Sequence, residues 1–496
     1  MNDADFNKWL KDQNAVRVIL VNATVKTSSG SIVTRRISNR PFVSSKTDTP
    51  PSTPYIARLI GGIKYTQSIS IDGGVTVSFG DLEINNADGE LDSWIDDYWS
   101  NRELSIYVGD ASWNLSDFRK VVSGTIVGIN TRNRNTINIK LSDKLQRLNT
   151  PITENLVGGS TKLSDSVVPL TFGECHNIEP FLVDPTIQKY KVHDGAIESI
   201  IEVRDNGVPV VFTPNLSDGT FVLSKAPAGR ITCSAQGAKF SYLGGATQWH
   251  TGIAQIVYHL ATQYGNPSLK FTQSDFDITK LNTFASANQQ PIGCFIKDRS
   301  NLLQIINDIS SSVGSKLTVD ANGLAYLVKL DITGFSPQIV ISEKDTIEKS
   351  IEIDYLPDVN ASVKIGYCKN YTIQENLQSG ILAEHAALFA EQWLTKLAED
   401  NTAASNYNLF TEPVISETLL LTEADANAEA TRRLNLFNVQ RKIIKLKVGF
   451  NYILASSGQS VLLTNRRFGL SSGKQGQILS ISTDFISSTI DIIVIV

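Results

Sequence analysis

Thr422-Glu-Ala-Asp-Ala-Asn-Ala-Glu-Ala-Thr-Arg-Arg-Leu-Asn-Leu-Phe437 is followed by Lys442-Ile-Ile-Lys-Leu-Lys-Val448, by Ser460-Val-Leu-Leu-Thr464, and by two more apolar runs at 478–482 and 489–496. The first segment reads as a helix. Thr422 can cap it, Glu423 and Asp425 suit its positive end, and Arg432 and Arg433 suit its negative end. The later segments alternate: Ile444, Leu446 and Val448 share one face, Lys445 and Lys447 the other. The closing stretch 421–496 therefore predicts a helix laid beside an antiparallel sheet.

The whole chain is consistent with that reading. At 496 residues it is too long for one core, and three or four domains are expected. Its 41% hydrophobic and 19% charged residues are globular values. A net charge of −5 points away from a nucleic-acid binder. No apolar run approaches the ~18 residues of a membrane span. The opening Met-Asn-Asp-Ala-Asp-Phe-Asn-Lys-Trp-Leu10 lacks the basic and apolar regions of a signal peptide, so synthesis in the cytoplasm is expected. Cys175, Cys233, Cys294 and Cys368 form no CxxC pair and are expected to be free thiols.

Phe6, Trp9 and Leu10 can share one side of a short helix, and a strand follows at 16–25. Three prolines in 48–54 suggest a stiff extended loop. Residues 64–71 and 75–84, joined by Asp72-Gly-Gly74, read as a hairpin. Residues 91–99 read as a helix burying Leu91, Trp94, Ile95 and Tyr98, with strands at 103–108, 120–130 and 136–141. The order strands, helix, strands recurs: once over 64–141 and again over 349–496, where 350–353 and 361–367 precede the helix. Between them lie a β-like piece and a mixed piece. The mixed piece has helices at 250–264 and 301–313, the second with the stripe Leu302, Ile305, Ile306 and Ile309, and a hairpin turning at Asp320-Ala-Asn-Gly323. Residues 382–397 read as a helix with a polar exit through 400–406.

Catalytic and metal patterns are weak. Cys175 and His176 are adjacent, so a strand would point them apart. His193-Asp194-Gly195 has no GxSxG serine to serve and reads as a turn. Asp92, Asp96 and Asp97 could form a glycosidase pair but fit a solvated face better. Glu384-His385 lacks the second zincin histidine. The unusual charge feature is a basic run. Between 430 and 483 stand Arg432, Arg433, Arg441, Lys442, Lys445, Lys447, Arg466, Arg467 and Lys474, with no Asp or Glu. It reads as a basic surface toward DNA phosphates or an acidic partner, and the near absence of interleaved aromatics favours a protein–protein assembly surface. The alternative is a solvated face balanced by acids elsewhere, such as Glu343, Asp345, Glu348, Glu352 and Asp354.

Leu463-Thr-Asn-Arg-Arg-Phe-Gly-Leu470 with Gly473-Lys-Gln-Gly-Gln-Ile-Leu-Ser480, and the Ala-Glu-Ala-Thr-Arg-Arg-Leu434 segment before them, resemble the C-terminal part of tail-tip (baseplate hub) proteins of long-tailed bacteriophages. Lys140-Leu-Ser-Asp-Lys-Leu-Gln-Arg-Leu-Asn-Thr-Pro151 and Val168-Pro-Leu-Thr-Phe-Gly-Glu-Cys175 fit the same family, as does the helix-hairpin at 298–330; the N-terminal part also resembles a distal-tail protein. The resemblance implies a β-rich α+β chain with two tail-tube-like β-domains, each with one helix, at 1–150 and 341–496. It places a β-rich insert at 151–245 and a small α/β domain at 246–340 between them. It further implies a non-enzymatic ring in the virion tail, a trimer rather than a hexamer, without cofactor or metal. That ring would join the tail tube or distal-tail protein to a fibre, spike or receptor-binding protein. It would meet the tape-measure protein, and would gate a channel where genome DNA is only in transit. The alternatives are a virion-associated cell-wall hydrolase and a carbohydrate-binding tail protein using exposed Trp113 or Trp249.

Overall fold

The computed structural model describes residues 3–496 apart from 13, 62–63, 70–74, 159–161, 163, 333–335, 348–349, 357–358, 376, 380 and 410–411. The fold is a mixed, β-rich α+β architecture of several sheets. Two large sheets position everything else, one of nine strands and one of eight among the described residues.

The first large sheet contains β1 (Arg17–Lys26), β2 (Leu59–Gly61), β5 (Leu82–Asn85), β6 (Glu103–Asp110), β7 (Arg119–Asn133) and β8 (Thr136–Ser142). The second contains β9 (Ile339–Ser342), β10 (Glu352–Tyr355), β11 (Lys442–Gly449), β12 (Ser460–Thr464), β13 (Lys474–Asp484) and β14 (Thr489–Ile495). Their strand orders are β1-β6-β7-β8-β5-β2 and β9-β12-β13-β14-β11-β10. Taken in chain order, each strand of the first has its counterpart at the same place in the second. One pair differs in direction: β1 runs antiparallel to β6, whereas β9 runs parallel to β12. The chain thus repeats a six-strand plan, but not the recurrence expected from sequence. The copies begin at Arg17 and Ile339, residues 64–69 and 75–79 pair in the second sheet, and the strand Ser362–Tyr367 and the helix Glu423–Phe437 lie outside the plan. The element between its third and fourth strands is a 3-10 turn in both copies, Asp92–Asp96 and Phe450–Tyr452, and not an α-helix.

The alternating patterns explain where the core sits. Ile444, Leu446 and Val448 turn inward, and Ile19, Val21, Ala23 and Val25 of β1 join them in one cluster spanning both sheets. The opposite face of β1 is also covered, since Val18 and Leu20 pack with Phe42, Tyr55 and Phe118. The helix Asp3–Leu10 buries Phe6 and Leu10 against the shared cluster, with each buried large side chain contributing about 1.5–3 kcal/mol.

Between the two sheets of the repeat the chain makes an excursion that ties them together. The strands of the expected hairpin, β3 (Lys64–Ile69) and β4 (Val75–Phe79), pair with each other; its turn lies outside the described residues. The strand expected over 75–84 is broken, because 82–85 is β5 and belongs to the first sheet. The hairpin itself crosses to the second sheet, where β3 pairs with Ser480–Asp484 of β13.

Several expectations are corrected. The helix Glu423–Phe437 has the predicted bounds and its Thr422 cap, yet only its last turn meets the terminal sheet, where Leu436 packs with Ile443, Leu479 and Ile495. Its Ala426, Ala430 and Leu434 pack in a second core with Val363, Ile365 and Tyr367 of the Ser362–Tyr367 strand. Residues 382–397 divide into a helix, Ala383–Ala390, and a strand, Leu394–Glu399, that pairs with Ser362–Tyr367. Cross-strand pairing there overrides helix propensity. The polar exit is a helix, Asn401–Tyr407, capped by the Asp400 carboxylate on the amides of Thr402 and Ala403. In the 91–99 segment the 3-10 period buries Leu91, Trp94 and Trp99 and leaves Ile95 and Tyr98 exposed. The proline loop is folded back, with Ser44 and Ser45 bonded to Thr53 and Ser52, and Pro54 already opens a strand.

The mixed piece carries the predicted helices as Ile253–Gln263 and Leu302–Ser311, with all four stripe residues buried, and an unanticipated helix, Ile278–Ala287. Its hairpin Ser315–Val319/Ala325–Lys329 packs in the second core. The β-like piece has a small core of its own around Cys175, Val192, Val203 and Phe221.

Candidate assembly surfaces

The structure does not gather the basic run into one surface. Arg432 and Arg433 point inward and clamp Glu429, which is only 5% exposed. Arg432 donates from Nε and Nη2 to the two carboxylate oxygens at 2.8 and 2.7 Å, and Arg433 from Nε at 2.6 Å. Their remaining nitrogens donate to the carbonyls of Leu330 (2.8 Å) and Ser311 (2.7 Å). Burial pushes the Glu429 carboxyl up, but the two guanidiniums outweigh it and hold it below its usual value. Gly314, at φ +66°, leaves room for this clamp, since a Cβ there would meet Arg432 Nη2 at 2.1 Å. The arginines thus fasten the helix Glu423–Phe437 to the mixed piece. Arg441 is likewise engaged, donating to the carbonyls of Leu436 and Asn435 at the end of that helix.

The outward members of the run lie on and around the second sheet. Lys445 meets Asp354 and Lys447 meets Asp491, each at 3.5 Å, and Arg466 meets Glu343 at 2.8 Å. Arg467 lies over the Phe468 ring, and Lys442 extends the β11–β14 pairing by backbone bonds to Val496. The run is free of acids in sequence but not in space, because neighbouring strands bring Asp354, Asp491 and Glu343 to it. Such exposed pairs contribute about 0–1 kcal/mol each.

A polar contact that carried no sequence signal joins three parts of the chain. Gln67 of β3 is fully buried. Its Nε2 donates to the Val319 carbonyl (2.8 Å) and the Tyr326 hydroxyl (3.1 Å), and its Oε1 accepts from the Ser457 amide (3.1 Å). A glutamine in a polar strand pattern looks solvent-facing until the hairpin is seen to cross sheets.

The remaining candidate residues have structural engagements. His193 is buried and accepts the Thr171 amide on Nδ1, and burial lowers its pKa to about 4. Asp194 accepts from Asn155. Asp92 accepts from Asn86, Asp97 is held by Arg35 at 2.6 Å, and Asp96 is exposed. His176 leans on Glu174 while Cys175 is buried. Glu384 and His385 lie on an exposed helix. Trp113 packs on Trp9 with ring centroids 4.5 Å apart, and Trp249 donates to the Gly173 carbonyl, so neither is the exposed platform expected. Among the described residues no three His, Cys, Asp or Glu side chains are grouped as metal ligands would be, and no helix is long and apolar enough to cross a membrane.

Solved tail proteins, two of them from prophages, are similar to this chain. A tail protein from Neisseria meningitidis MC58 is 10% identical, with 97% of each chain covered and a TM-score of 0.41. The 43 kDa tail protein of prophage MuSo2 from Shewanella oneidensis is 11% identical over 97% of this chain and 96% of that one, with a TM-score of 0.39. The prophage tail protein gp18 from Listeria monocytogenes EGD-e is 8% identical over 96% and 94%, with a TM-score of 0.42. No family model and no curated protein matches the sequence.

Proposed function

We propose that this chain is a structural, non-enzymatic protein of a phage tail tip, the hub that joins the tail tube to receptor-binding parts. The repeated six-strand plan carries the reading. A subunit with two like sheets lets three copies present six like sheets around one axis. Such a ring matches a sixfold tube on one side and a threefold fibre or spike on the other. The motifs at 463–480, 140–151 and 168–175 support the same family. In this reading 1–150 and 341–496 supply the two tube-like units, with the β3–β4 hairpin bridging them, and 151–245 and 246–340 stand outside. The outward basic residues Lys445, Lys447, Arg466 and Arg467 form part of the assembly surface, and the ring lines a channel for genome DNA.

Mass photometry with negative-stain averaging of the purified chain tests this. The expected result is a particle of three times the 54.3 kDa chain mass with threefold averages and sixfold-like inner density. A chain that stays monomeric at every concentration, or that clears peptidoglycan, refutes it.

A further inference from the structure

The six strands of the shared plan match one for one in the two sheets, but the fifth strand of each, β7 and β13, is paired differently along one edge. On β13, one side is taken by β14. The other is shared: β12 pairs with Lys474–Gln477 by register, and β3 pairs with Ser480–Asp484. The counterpart strand β7 follows the same plan only halfway. β8 takes one side, and β6 takes the first half of the other, ending at Thr125. Ile126 still bonds to Arg102 and Asn101, and the Val127 carbonyl accepts the Ser100 hydroxyl. Past that point, no strand among the described residues pairs with residues 128–133 on this side. Exposed Val127 and Tyr98 stand at the start of the bare edge.

We propose that residues 128–133 accept a strand from a second copy of this chain, laid on β7 as β3 is laid on β13. The occupant follows from the repeat. Within one chain, the excursion between the second and third strands of the first sheet, β3–β4, is lent to the second sheet. Carrying the same step forward lends the corresponding excursion of the second sheet, residues 356–441, to the first sheet of the next copy. That excursion contains an outer strand, Leu394–Glu399, paired on one side only with Ser362–Tyr367 and as long as the bare stretch. Strand addition satisfies backbone donors and acceptors that a free edge leaves open. The contact is head-to-tail, and it closes a ring of three when each copy is turned by a third of a rotation from the last, as the reading above requires. The inference rests on the ring reading above.

Amide hydrogen exchange on the full chain, in monomer and assembled fractions separated by size, tests it. Amides of 128–133 are expected to exchange at least about ten-fold more slowly in the assembly, while those of 480–484 are equally protected in both. Val127→Lys should weaken assembly about ten-fold, with Val211→Lys on the insert as a neutral control. A ring whose 128–133 amides exchange as fast as in the monomer overturns this edge assignment and leaves the ring reading standing. A chain that never assembles overturns both.

Discussion

Glu429→Gln isolates what the Arg432/Arg433 clamp contributes. The carboxylate accepts three charge-assisted bonds in a nearly closed site. Removing one partner of a buried ion pair costs about 3–5 kcal/mol. Here the guanidiniums are about a fifth exposed and keep the Leu330 and Ser311 carbonyls, which favours the lower end, about 3 kcal/mol. Whole-chain melting is a poor probe of a multidomain protein, so the assay is native-state amide exchange within the helix Glu423–Phe437. A loss of about 3 kcal/mol in local opening speeds exchange roughly 150-fold. The sign with pH follows from the lowered carboxyl pKa. The stabilisation is complete above the unfolded value of 4.5 and is lost as pH falls through the lower folded value. Glu429→Gln should remove that acid-dependent part. Exchange within three-fold of wild type at neutral pH would show that the clamp is energetically idle and refute the reasoning.

Gln67→Leu should leave the Ser457 amide buried without a partner and the Val319 carbonyl with only the long Tyr65 hydroxyl contact at 3.5 Å, costing about 1–3 kcal/mol. The earliest calorimetric transition should move down, and an unchanged transition would mean that water substitutes for the side chain. Burial holds His193 at about 4 and His259 at about 3, so both are neutral in the fold and gain protons only on unfolding as pH drops below 6.5. Stability of the unit that holds them is therefore full above 6.5 and falls toward pH 4, with the His193 share at most about 1.4 kcal/mol per pH unit. His193→Gln should flatten that slope in urea titrations at pH 7, 6 and 5, and an equal slope would exclude the histidine as its source. Lys445→Glu with Lys447→Glu should weaken assembly by sedimentation while leaving circular dichroism unchanged. Undiminished assembly would reduce the outward strip to a solvated face.

The helices of the mixed piece were legible because their signals are local. Leu302, Ile305, Ile306 and Ile309 recur at helical spacing, and Gly265 and Gly314 adopt the left-handed φ that ends a helix. The strand 394–399 was not, because Leu-Thr-Lys-Leu-Ala-Glu suits a helix until Ser362–Tyr367 pairs with it. Of the assembly surface, sequence showed which residues were basic but not which were free. Their position suits Arg432 and Arg433 to the negative end of a helix, but the acid that claims them, Glu429, sits one turn earlier on the same helix.

The alternation of Ile444, Leu446 and Val448 with Lys445 and Lys447 was determined by sequence alone, since the two-residue period of a strand is a property of the covalent backbone. So was the cap at Thr422. Which strand lies beside which was decided by tertiary structure, because hydrogen-bond partners hundreds of residues apart leave no mark in local pattern. That choice gave six strands of each sheet one order, carried β3 across to β13, set Asp354, Asp491 and Glu343 beside an acid-free run of sequence, and left one side of the far half of β7 without a strand among the described residues.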